Sequence, residues 1–181
     1  MADVSARPAR LGDVEAMTAL QLRSWDDALG LPSGTGRPDP ATATRMWERS
    51  VIAPPSARHA VWVATAGEVV VGLAAVAPAA DPDLDETSDT ELLLLTVDPD
   101  WRNQGHGSRL LSATMESLSS HDQLTAVTWV TAKDDDTRSF LEKAGWGVDG
   151  AHRSLAQNEE DPPELRLRQL RLGTDLSAAN L

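Results

Sequence analysis

The chain has 181 residues, 41% hydrophobic and 24% charged, with a formal net charge of −12 and a pI near 4.6. This length and balance predict one soluble domain over residues 1–181 with an ordinary hydrophobic core. The acid excess argues against a nucleic-acid partner, which would need clustered Lys and Arg, and the absence of cysteine excludes disulfides, thiolate catalysis and thiolate metal sites.

A short extended segment, residues 4–9, opens the chain, and Pro8 marks it as an edge or strand end. The first thirteen residues carry arginines but not the apolar run of a secretory leader, so a cytoplasmic setting is expected. Asp13 is placed to cap a helix from Val14, because Val14, Met17, Leu22 and Trp25 share one side at about 100° per residue. The Gly- and Pro-rich stretch 30–40 reads as a loop, and a second helix over 41–50 is stopped by Pro54 and Pro55.

The period then changes. Residues 59–65 and 68–77 are Val- and Ala-rich runs joined at Ala66-Gly67, which predicts a hairpin. The longest apolar stretch, 69–80, contains Gly72 and Pro78 and is too short to span a bilayer, so no membrane partner is expected. An acidic connection, 81–89, leads to the apolar run 91–97, whose lack of alternation predicts a central strand buried on both faces. Leu110, Leu111, Met115 and Leu118 recur at helical spacing over 105–119. A strand over 124–132 and a helix over 134–144, closed by Gly145, come next. Two final strands, 146–155 and 165–172, flank a polar link at 157–163, and a change of parity between Leu167 and Leu170 predicts a bulge in the last one. The order β-α-α-β-β-β-α-β-α-β-β defines an α/β (α+β) fold, a mixed sheet with helices on both faces.

The chemistry concentrates in Val97-Asp-Pro-Asp-Trp-Arg102-Asn-Gln-Gly105-His-Gly107-Ser-Arg-Leu-Leu111. A buried strand turns through Pro99 into a glycine-bearing loop that opens a helix. Two residues without Cβ let successive N–H groups converge on an anion, the helix N-terminus favours a phosphate, and Arg102 adds a cation. A nucleotide P-loop would need Gly-Lys-Ser/Thr, but Gly107 is followed by Ser108-Arg109. A dinucleotide fingerprint would need a third spaced glycine, which is absent. The alternative is an ordinary strand-to-helix turn.

Arg102-x-x-Gly105-x-Gly107, preceded by Leu95-x-Val97-x-Pro99-x-Trp101, resembles the acetyl-CoA pyrophosphate loop of the GNAT family of N-acetyltransferases. Phe140-Leu-Glu-Lys-Ala-Gly145-Trp146 resembles the helix end and strand that follow the cofactor site in that family, and Arg7-Pro8-Ala9-Arg10-x-x-Asp13 resembles its usual start. The resemblance covers nearly the whole chain. It implies a mixed, mostly antiparallel sheet of six to seven strands, in which the strands 91–97 and 124–132 splay to open a cleft. A pantetheine arm would pair there with backbone groups of Leu95 and Val97. N–H groups of Gln104, Gly105, His106, Gly107 and Ser108 would hold the pyrophosphate, with Arg102 at the mouth. The implied reaction is direct attack of an amine on the thioester, with acetyl-CoA as co-substrate, no metal, and a small-molecule or peptide amine as acceptor. A monomer or a homodimer fits equally.

Within that resemblance Glu91 takes the place of a catalytic base, the alternative being a solvated residue at a strand start. An ammonium of pKa about 10 must lose a proton before it attacks. Asp98 is a second candidate, or a cap for the following turn. Two positions depart from the family pattern. Leu141 stands where many members carry a tyrosine acid, and the chain contains no tyrosine; a non-catalytic acetyl-CoA binder of the same fold is therefore the second reading. Asp134 stands where members often have an asparagine contacting the pantetheine, and a carboxylate accepts there but does not donate. His106 either approaches the phosphates as a cation or packs. Trp25, Trp47 and Trp62 are candidates for the acceptor pocket. His59, His121 and His152 show no metal spacing. The carboxylates of 81–89 either draw in a cationic substrate or form a solvated connection.

Overall fold

The computed structural model describes residues 4–29, 37–119, 123–155 and 166–176. Seven strands form one sheet in the order β1-β2-β3-β4-β5-β7-β6: β1 (Val4–Pro8), β2 (Ala60–Ala66), β3 (Val69–Pro78), β4 (Asp89–Val97), β5 (Thr125–Thr131), β6 (Gly147–Leu155) and β7 (Leu167–Asp175). Every pairing is antiparallel except β4 with β5. Four helices accompany them: α1 (Val14–Leu29), α2 (Pro40–Ile52), α3 (His106–Ser119) and α4 (Asp135–Lys143). The mixed, mostly antiparallel sheet with flanking helices is the expected architecture.

Each helix is set by local chemistry. Asp39 accepts from the Thr42 N–H at 3.0 Å and Pro40 fills the first helical position, so α2 begins one residue before the predicted start. The α4 N-cap is Asp134, which accepts from the Thr137 N–H at 2.9 Å. Gly145, at φ +90°, terminates it. Asp13 does not serve as the expected helix cap. It ends a short 3-10 turn, Leu11–Asp13, where its carboxylate takes two bonds from Arg7 (2.7 and 2.9 Å) and one from the Arg10 N–H (2.7 Å). A bidentate guanidinium is the stronger partner.

The helices divide between the two faces. One core joins Met17 and Leu20 of α1 and Trp47 of α2 to Val63 and Leu73. The other joins Leu110, Leu111 and Leu118 of α3 and Leu141 of α4 to Val71, Leu92, Val130 and Leu172. The hairpin turn between β2 and β3 uses Gly67 at φ +62°.

Two strand expectations are corrected. β4 is not buried on both faces: Leu93 is 57% exposed, and Leu94 and Leu95 are half-buried. The cause is a bulge, since Ala75 pairs with Leu94 and Val76 with Leu92, leaving Leu93 without a partner on β3. The bulge expected in β7 is absent, because β7 runs in unbroken register against β5. The irregularity lies in β6 between Val148 and His152, opposite Arg171. The parity change in β7 instead marks a polar buried row, with Leu167, Gln169 and Arg171 alternating with Leu170 and Leu172.

Candidate active site

β4 and β5 pair only from Asp89↔Thr125 to Glu91↔Val127, and then part. At the fork the Thr128 hydroxyl donates to the Leu92 carbonyl at 2.8 Å, closing the apex. Beyond it the edge of β4 lacks a strand partner, and the bulge decides which groups line it. The Asp98 N–H donates to Val71 O at 2.9 Å, and Val97 pairs with Gly72. In an antiparallel ladder the hydrogen-bonded pairs alternate, so the groups of Thr96 and Leu94 turn toward β3. Those of Leu95 and Val97 turn into the cleft. Without Leu93 as the extra residue, the parity set by the Leu92 carbonyl would have turned Leu94 and Thr96 inward instead.

The loop 102–108 sits at the mouth. Gly105 holds φ +83°, a conformation that a side chain would strain. Gly107 packs the start of α3 against Val97 and Phe140, where an added Cβ would meet both at 3.5 Å, ordinary contact. The Arg102 Nε donates to the Val97 carbonyl at 3.3 Å, tying the loop cation to the cleft edge. Gln104 donates from its side chain to Asp100 O at 3.3 Å, and its own carbonyl receives Arg109 Nη1 at 3.3 Å. Arg109 therefore folds over Gly105 as a second cation of the loop, one that sequence reading passed over. Ser108 is exposed at the first turn of α3.

His106 is buried: it is 2% exposed, its ring meets Trp101 edge-on at 5.8 Å, and Nδ1 has no partner among the described residues. Its backbone N–H belongs to the loop, while its ring packs. Asp134 stands at the end of β5, on the far arm of the cleft, with its carboxylate used as the α4 cap. Leu141 is only 1% exposed within the α3–α4 core. Asp98 caps the turn Pro99–Trp101 and pairs with Arg23 of α1.

Glu91 occupies the last paired position before the fork and is 9% exposed. Its carboxylate accepts no hydrogen bond among the described residues. Burial raises its pKa above the ordinary 4.5; the Arg153 charge opposes that rise and the Asp81 charge adds to it. Period-2 alternation puts Glu91, Val127, Trp129 and Arg171 on one face. There a cavity of about 440 Å³ is lined by Asp81, Asp83, Trp129, residues 150–153 and Arg171. Of the tryptophans considered from sequence, Trp47 donates to Gln21 within the α1–α2 core and Trp62 packs on the other core. Trp129 is the one in this cavity.

The acidic connection 81–89 folds onto the sheet. The Arg171 side chain, 6% exposed, donates to Asp83 (2.8 Å), Asp149 (2.6 Å) and Asp81 (3.4 Å), and Trp129 Nε1 also donates to Asp81 at 3.1 Å. Asp85 accepts from the Thr87 N–H and hydroxyl. Among the described residues no group of His, Cys, Asp or Glu is arranged to hold a metal, and no helix is long and apolar enough to cross a membrane.

Residues 19–146 match the model of the acetyltransferase (GNAT) family, and the chain belongs to that family. No curated protein sequence matches it significantly. Among solved structures it is similar to an N-acetyltransferase from Staphylococcus aureus Mu50 (TM-score 0.73, 16% identity, 96% of this chain and 99% of that one). It is also similar to PaiA N-acetyltransferase from Thermoplasma acidophilum, in complex with coenzyme A (0.71, 16%, 96% and 99%). A third is YncA from Salmonella typhimurium, with acetyl-CoA (0.73, 16%, 96% and 94%). At such identities these likenesses establish the fold.

Proposed function

We propose that this protein is an acetyl-CoA-dependent N-acetyltransferase acting on a primary amine by direct attack. The observation that carries the reading is the fork itself: a buried carboxylate without a hydrogen bond among the described residues at its apex, a backbone edge without a strand partner along one arm and a glycine-bearing helix start at its mouth. The residues fit the donor. Leu95 and Val97 offer a strand edge to an amide-bearing arm, and the N–H groups of 104–108, with Arg102 and Arg109, suit a pyrophosphate. Bound acetyl-CoA supplies a thioester, whose C–S bond breaks as the amine nitrogen bonds to its carbonyl carbon. Glu91 takes the proton that the ammonium must lose, directly or through water, and its burial brings its basicity closer to that task. A thiol of pKa about 8.5 leaves adequately near neutral pH, so the methyl groups of Leu141 in place of an acid do not forbid turnover.

Leu141 supports the second reading, a non-catalytic acetyl-CoA binder of the same fold. The test is release of free thiol from acetyl-CoA with a panel of primary amines, with acetylated product identified by mass. Binding of acetyl-CoA without thiol release from any amine would leave the binder.

A further inference from the structure

The cavity beside Glu91 has two arginines with opposite situations. Arg171 is spent, because all its hydrogen-bonding sides face Asp81, Asp83 and Asp149. Arg153 is not. Its Nε donates to Gln169 Oε1 at 2.7 Å, and its guanidinium lies 4.3 Å from the centre of the Trp129 ring. Gln169 is itself buried, on the strand next to β6. These contacts fix the plane of the group and use one of its five donors. No carboxylate pairs with it among the described residues. The carboxylates that line the cavity, by contrast, are engaged: Asp81 by Trp129 and Arg171, and Asp83 by Arg171, while Asp149 behind them is held by Arg171 and the Ala151 N–H.

We propose that the acceptor is an amine that also carries a carboxylate, held by the Arg153 fork over Trp129 while its amino group faces Glu91. Three features support this. Trp129 lies two residues along β5 from Val127, the partner of Glu91, which is about 7 Å on the same face. The Arg153 charge is felt at Glu91, where it opposes the rise in pKa that burial causes. A planar guanidinium held by one buried amide and one ring presents its two remaining nitrogens together, the geometry that matches a carboxylate. Recognition of a cationic tail is disfavoured, since the Trp129 face is already covered by Arg153 and the aspartates already have partners.

This inference rests on the acetyltransfer reading, and binding separates the two. The probes are the standard amino acids and their carboxamides, which differ only in the anionic group, titrated by calorimetry into the protein saturated with coenzyme A. At least one amino acid should bind about tenfold or more tightly than its amide, and Arg153→Gln should collapse that ratio toward one. Arg153→Lys, which keeps the charge but not the fork, should retain part of it. A merely structural role for Arg153 would weaken acid and amide equally and leave the ratio unchanged. Equal binding of acid and amide, or binding of neither, overturns the proposal. Preferential binding of an acid with no thiol released from acetyl-CoA would keep the Arg153 carboxylate site and sink the acetyltransfer reading.

Discussion

The Thr128 hydroxyl donates to the Leu92 carbonyl at 2.8 Å at the point where β4 and β5 separate. Both residues are buried, so no solvent competes for the carbonyl. This bond holds the apex at which Glu91 sits. Thr128→Val keeps the shape but leaves a buried acceptor unpaired, and stability should fall by about 1–2 kcal/mol in urea unfolding. An unchanged midpoint would show that the fork holds without it.

The two loop glycines should respond differently. Gly105 at φ +83° is strained by any Cβ, whereas Gly107 has a negative φ and only ordinary contacts awaiting one. Gly105→Ala should weaken acetyl-CoA binding by about tenfold or more in calorimetry, and Gly107→Ala by much less. The added Cβ at 105 meets Arg109 Nη1 at 2.9 Å, but that flexible end moves aside, so the backbone term dominates. Equal losses from the two variants would refute this division.

Glu91 should set the acid limb of the pH profile. Its pKa lies above 4.5 through burial, and only its ionised form accepts a proton, so turnover falls as pH drops through that raised value. Glu91→Gln should lower turnover near neutral pH by roughly a hundredfold, with the deficit narrowing at high pH, where the ammonium loses its proton unaided. Stability supplies a second readout. A carboxyl whose pKa is higher folded than unfolded binds protons more readily when folded, so its ionisation opposes folding as pH rises. Glu91→Gln should therefore melt higher than wild type at pH 7, and the gain should vanish below the unfolded value near 4.5. Wild-type turnover in the variant at pH 7 would remove Glu91 from the role.

Arg171 should matter to stability beyond the ordinary surface ion pair. Arg171→Met leaves Asp81, Asp83 and Asp149 facing one another without their shared cation. The Arg171 guanidinium is buried while Asp83 is largely exposed, so the variant should unfold at a clearly lower denaturant midpoint than wild type. The Arg171 bond lowers the pKa of Asp83, so the difference should be full above the ordinary Asp value of 3.8 and shrink as pH falls through the lowered one. A constant difference across that range would place the loss in packing alone.

The element order, the hairpin at Ala66-Gly67 and the loop 102–108 were legible in the sequence, because each depends on neighbours within a few residues. Hydrophobic period separates strand from helix, glycine marks the backbone turned to positive φ, and a strand–loop–helix phrase carries its own anion-binding geometry. Glu91 came instead from the family resemblance, and its burial at the fork is what the tertiary structure added.

The tertiary structure alone decided which groups line the cleft and which charges are free. A one-residue bulge at Leu93 inverts the direction of every later peptide group in β4, and an apolar run of four leucines gives no sign of it. The acidic connection 81–89 reads as one block of charge, yet two of its aspartates, Asp81 and Asp83, are engaged by Arg171, 90 and 88 residues further along the chain. Arg153 and Arg171 are alike in sequence. Pairing depends on strand order in the sheet and on which face each residue takes, and those follow from long-range packing that no local pattern records. That packing gives Arg171 three carboxylates and leaves Arg153 with none among the described residues.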